Sequence, residues 1–192
     1  MKWRLVVFLL VAFWPQSASA HSSVLILQPF TSEPQVLALF ALGLFIQQGL
    51  PETEGVFHCF WACCIAGSAV AALNLIRFEP AEQFTLIALI TGIIIAAGRK
   101  LPISLSLILG AACGGLSGYN SWPDHGSTGD LILSAMSAIL GSSLIVILVS
   151  SITAEINRLL ELIWFSVAVR VIGSWIAAIS LLLSALLYRK LV

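Results

Sequence analysis

Long apolar runs separated by short polar breaks dominate this chain, and the breaks fall where proline, glycine or charge collects. The first run, Leu5 to Trp14, follows Lys2 and Arg4 and precedes the small-residue triplet Ala18-Ser19-Ala20. A positive start, a short apolar stretch and a small-x-small step are the marks of a cleavable export signal. Residues 1–20 are therefore expected to be removed, with His21 as the first mature residue. Six longer runs follow, over about residues 34–50, 56–76, 81–98, 101–119, 130–152 and 162–188. Each is close to the ~20 apolar residues that a helix needs to cross a bilayer. Backbone in lipid must satisfy its own hydrogen bonds, so each run is read as a helix. The expectation is an all-α polytopic membrane protein. It has one domain, residues 21–192, a bundle of about six transmembrane helices.

Composition supports lipid as the main solvent. The chain of 192 residues is 59% apolar and 9% charged, with nine basic residues against nine acidic, whereas a soluble domain carries about 25% charged residues. With no net charge and no basic run, nucleic acid is excluded as a partner. The partners expected are the bilayer itself and, in the accessory reading below, another membrane protein. The four cysteines, Cys59, Cys63, Cys64 and Cys113, lie inside apolar runs, which is not the layout of a secreted disulfide framework.

An exported mature start and six crossings put both termini outside. The loops at 51–55, 99–101 and 153–161 are then cytoplasmic, and those at 77–81 and 120–129 are exported. Arg99-Lys100 obeys the positive-inside rule, while Arg77, Arg189 and Lys190 fall on the other side. Orientation therefore rests chiefly on the export signal.

Few polar residues carry candidate chemistry. The loop from Asn120 to Gly129 holds Asp124 and His125, ordinary ligands for a divalent first-row metal, or simply a solvated turn. Asp130 reads as a cap of the fifth helix. His58, Cys59, Cys63 and Cys64 form H-C-x-x-x-C-C. Cys59 and Cys63 share a helix face, as soft-cation ligands or as small packing residues. Arg170 sits about eight residues into the last run, where a charge is costly. It is read as a functional group or as half of an ion pair with Glu155, Glu161 or Glu82. Ser117, Ser121, Asp124 and His125 do not specify a catalytic triad, and the chain is not read as an enzyme.

The layout resembles the HupE/UreJ family of small bacterial membrane proteins over nearly all of residues 21–190. That family opens its first helix with H-P-x-x-G-x-D-H and an apolar run ending V-G-L. This chain has Gln28-Pro29-Phe30-Thr31-Ser32-Glu33-Pro34-Gln35 and a run reaching Gly43-Leu44, keeping Pro29 and Gly43. Gln28, Pro34 and Gln35 replace the two histidines and the aspartate. The family's fourth helix starts L-P and ends near H-G-H-A-H-G. Here Leu101-Pro102 is present, and the end reads Ser117-Gly118-Tyr119-Asn120-Ser121-Trp122. Gly118 is kept, and Ser117, Tyr119 and Ser121 stand at the histidine positions. Arg170-Val171-Ile172-Gly173 is similar to the family's R-x-x-G step, and Glu82 to the acid opening its third helix.

The resemblance implies a protein of the bacterial inner (cytoplasmic) membrane that moves nickel or cobalt, Ni2+ or Co2+. With no nucleotide-binding motif in the chain, such transport is passive or gradient-driven. Asp124, His125 and Glu33 are then the capture ligands replacing those lost, with Glu82 and Arg170 as intramembrane polar groups. The other implied outcome is an accessory or assembly subunit that kept the scaffold and lost transport.

Overall fold

A computed structural model describes residues 32–48, 53–73, 79–99, 101–122, 128–160 and 163–191. Among them the chain forms six α-helices and no strand: α1 (Glu33–Ile46), α2 (Thr53–Ala72), α3 (Ala81–Ala97), α4 (Ile103–Asn120), α5 (Thr128–Leu160) and α6 (Ile163–Leu191). The export signal, His21, Gln28, Asp124 and His125 lie outside the described residues.

Local chemistry sets the helix ends. Pro34 occupies the first turn of α1, where a missing N–H costs no hydrogen bond, and Glu33 places a carboxylate at the positive end of the dipole. Pro80 and Pro102 precede α3 and α4. α3 stops at Gly98, whose φ of 63° is left-handed and whose N–H returns to the Ile95 carbonyl at 3.0 Å.

The fifth helix departs from expectation. The sequence reading ended it near Ile152 and made 153–161 a loop, but α5 continues to Leu160. Glu155, Asn157 and Arg158 are polar without breaking a helix. No glycine or proline interrupts the segment, and Glu155 pairs with Arg158 at 2.6 Å across one turn. At its other end α5 begins at Thr128, so Asp130 lies within the first turn rather than before it.

Contacts between helices fix their directions. α2 and α4 run parallel, with Val56, Phe60 and Cys64 meeting Gly110, Gly114 and Gly118 in order. α3 and α6 run antiparallel, Gly92 against Ala177 and Ile95 against Gly173. α1 runs alongside α5, as Gln35 bonds Ser142 and Gln47 bonds Ser150. One end of the bundle, called upper, holds the starts of α1, α3 and α5. The lower end holds their finishes and the start of α6.

The α2–α4 and α3–α6 pairs make the most extensive contacts, and α1 packs against α3 and α5. α1 is apolar around its whole circumference and buries Leu39, Leu42, Phe45 and Ile46 almost completely, as a helix at the centre of a bundle must. α6 instead turns Trp164, Trp175, Leu181 and Leu182 outward. Three helical stretches are long and apolar enough to cross a membrane: Glu54–Ala72, Leu131–Leu159 and Trp164–Arg189. Outward apolar faces on helices of this length are those of a membrane protein, since water does not tolerate contiguous apolar surface on that scale.

Candidate functional site

The upper end gathers the buried polar groups. Gln35, one turn into α1, is 2% exposed. Its Nε2 donates to Ser142 Oγ on α5 at 3.2 Å, and its Oε1 accepts from Asn120 Nδ2 on α4 at 2.8 Å. One amide thus ties three helices. The first and fourth helices meet here. Gln35 stands where the resemblance expects a histidine, and Asn120 lies among the residues replacing the second motif.

Other upper-end oxygens are buried with no partner among the described residues. These are Gln83 Oε1 on α3, Ser117 Oγ on α4 and Ser134 Oγ on α5. Native interiors rarely leave such atoms unpaired, and each one marks a place for water, an ion or a solute. Ser121 is buried too, but its hydroxyl turns back to the Gly118 carbonyl and closes the end of α4. Tyr119 is half-buried in the last turn of α4, and its carbonyl accepts from the Trp122 N–H. Glu33 and Pro34 lie in the first turn of α1, with Glu33 exposed. Glu82 is exposed in the first turn of α3.

A second polar group lies at the lower end. Gln47 Nε2 donates to Ser150 Oγ at 3.0 Å, and Gln48 Nε2 donates to the Ile95 carbonyl at 3.0 Å. Arg170 donates from Nε to the Ala96 carbonyl at 3.0 Å. The cation therefore sits on the C-terminus of α3, where unpaired carbonyls and the helix dipole favour it. Gly98 leaves room for this, because a Cβ there would meet Arg170 Nε at 3.0 Å. These residues border a cleft of about 280 Å³ together with Asn157 and Ser166.

Two of the three partners expected for Arg170 lie elsewhere. Glu155 is taken by Arg158. Glu82 lies at the opposite end of α3, about 20 Å from Ala96 at 1.5 Å per residue. Glu161 is outside the described residues.

The cysteine group resolves toward packing. Cys64 and Cys113 are buried between α2 and α4, Cys59 donates to the Leu107 carbonyl at 3.6 Å, and all four are free thiols. His58 Nδ1 lies 2.8 Å from the Glu54 carbonyl of its own helix. Among the described residues no three His, Cys, Asp or Glu side chains group to hold a metal.

Sequence reading singled out Gln35 only as a substituted position and passed over Gln47, Gln48, Ser134, Ser142 and Ser150. The available sign was polar side chains recurring inside apolar runs, each requiring a buried partner. No protein-family model, curated protein or solved structure matches the chain.

Proposed function

We propose that this chain is a six-span integral membrane protein of HupE/UreJ type that moves a divalent metal cation, nickel or cobalt, down a gradient through an altered capture site. The observation that carries this reading is the set of buried oxygens with no partner among the described residues, Gln83 Oε1, Ser117 Oγ and Ser134 Oγ, in the end of the bundle that also holds the Gln35–Asn120 bond. A buried oxygen with no protein partner is commonly met by water or an ion, and a hydrated cation passing this end would supply either. The short central α1, polar at both ends and apolar between, is in keeping with a gated path, as transporters build sites on short, protein-enclosed helices. Asp124, His125 and Glu33 are the capture ligands in this reading.

A second reading, an accessory membrane subunit without transport, is favoured by one observation. Gln35, Asn120 and Ser142 satisfy one another, and a satisfied network locks helices together.

Uptake of radioactive nickel and cobalt separates the two. The full chain is placed in a bacterial host lacking nickel importers and compared with an Asp124→Ala, His125→Ala double variant at matched membrane levels. Uptake by the unaltered protein and its loss in the variant is the expected result. No uptake of either ion by inserted, folded protein overturns transport and leaves the accessory reading.

A further inference from the structure

The lower cleft has a composition of its own. Among the described residues that line it, Arg170 is the one charged side chain and none is a carboxylate. A guanidinium has five N–H donors. One serves the Ala96 carbonyl, and the others meet no described acceptor. Asn157 and Ser166, which also line the cleft, make no side-chain hydrogen bond to a described residue. Gln48 adds the opposite polarity. Its Nε2 is fixed on the Ile95 carbonyl, so its Oε1 remains a buried acceptor without a described partner. Gln47 and Thr153 line it too, with Gln47 Nε2 on Ser150 and the Thr153 hydroxyl on the Val149 carbonyl, so the cleft offers a cation, the neutral polar groups of Asn157 and Ser166, and one acceptor that a hydroxyl can meet.

Depth narrows the ligand further. Arg170 is level with the end of α3, and Arg99 follows Gly98 directly. Trp164, 77% exposed at the start of α6, marks the zone where indole rings settle at a membrane surface. Phe165 and Val169 give the cleft an apolar wall toward that helix. Basic pockets between membrane helices at this depth hold anionic headgroups.

We infer that the Arg170 cleft is a binding site for a phosphate group that carries or adjoins a hydroxyl, supplied by an anionic phospholipid headgroup or by free phosphate. The guanidinium takes the phosphate oxygens through its two NH2 groups, and Asn157 and Ser166 add neutral donors. Gln48 Oε1 accepts from the hydroxyl. The site does not depend on metal transport at the other end of the bundle, and a failed uptake experiment leaves it standing.

The test uses the full chain in uncharged detergent, with thermal unfolding followed during titration. The probes are phosphatidylglycerol, phosphatidylcholine and inorganic phosphate. The expected result is a saturable rise in the unfolding midpoint with phosphatidylglycerol or phosphate that phosphatidylcholine does not match. A response to phosphatidylglycerol without one to phosphate assigns the headgroup, and a response to phosphate assigns the free ion. Arg170→Gln removes the response. Because that change also uncaps α3, Asn157→Asp and Ser166→Asp serve as the second arm. They keep the Arg170–Ala96 bond while placing a carboxylate in the cleft, and each weakens binding at least about tenfold. Equal responses to phosphatidylcholine and phosphatidylglycerol with none to phosphate overturn the site, as does a response unchanged in both aspartate variants.

Discussion

Gln35 ties three helices through one side chain. An amide buried in an apolar helix is destabilising unless both its ends are paired, and here Ser142 and Asn120 pair them. Gln35→Leu takes the amide partner from fully buried Ser142 and one partner from half-buried Asn120, and is expected to cost about 1–3 kcal/mol at Ser142 with a smaller loss at Asn120. Ser142→Ala takes a partner only from Gln35 Nε2, whose amide keeps Asn120, and is expected to cost less, toward the low end of about 1–3 kcal/mol. Thermal unfolding in detergent checks the order, and a double-mutant cycle between the two positions checks the coupling. Equal losses from the two single variants would show that the amide does not join the helices. The sequence exposed Gln35 as a departure from a family pattern but not its role. Its partner on α5 is 107 residues away, and no local spacing encodes such a contact.

At the scale of the element, glycine spacing decides which helices touch. Gly110, Gly114 and Gly118 recur every fourth residue on α4 and face α2. Small residues at this spacing let two membrane helices bring their backbones together. A Cβ on Gly114 would strike the Phe60 carbonyl, and one on Gly118 the Cys64 carbonyl. Gly115, one residue off this row, has the Cys63 carbonyl at 3.9 Å, an ordinary contact. Gly114→Ala and Gly118→Ala are therefore expected to destabilise by about 1–3 kcal/mol through overpacking. Gly115→Ala is neutral or stabilising, because alanine is the better helix former by about 1 kcal/mol. Unfolding midpoints of the three variants test this, and equal losses would place the close approach elsewhere. Of this repeat only Gly118 stood out in the sequence, while most helix ends were legible, because lipid leaves the backbone no choice but a helix and proline marks the starts. The lower end of α5 was misjudged for a related reason. Polarity at Glu155 and Arg158 suggests a loop, but charged side chains continue a helix readily, and α5 runs on to Leu160.

Across the whole molecule, helix length and position compensate for one another. α1 spans only about 21 Å and α3 about 26 Å at 1.5 Å per residue, short of the ~30 Å hydrocarbon core. α1 is enclosed by the other helices, so its ends need not reach lipid headgroups and can meet polar side chains instead. The 33-residue α5 and the 29-residue α6 supply the outer length. This arrangement predicts a strict alternation. Lower-end segments near Arg99 and upper-end segments near Trp122 lie on opposite sides of the membrane, and the end of α6 returns to the upper side. Fusions of alkaline phosphatase and of a cytoplasmic fluorescent reporter after Arg99, after Trp122 and after Val192 test it. The expected pattern is phosphatase activity after Trp122 and Val192 and fluorescence after Arg99. Reversal at all three positions would keep six crossings and overturn the orientation, moving the Arg170 cleft to the exported leaflet. Matching signals after Arg99 and Trp122 would mean that α4 does not cross. The polar junction at Gln35 and the cleft at Arg170 would then open to the same side, and no path could join two faces through α1.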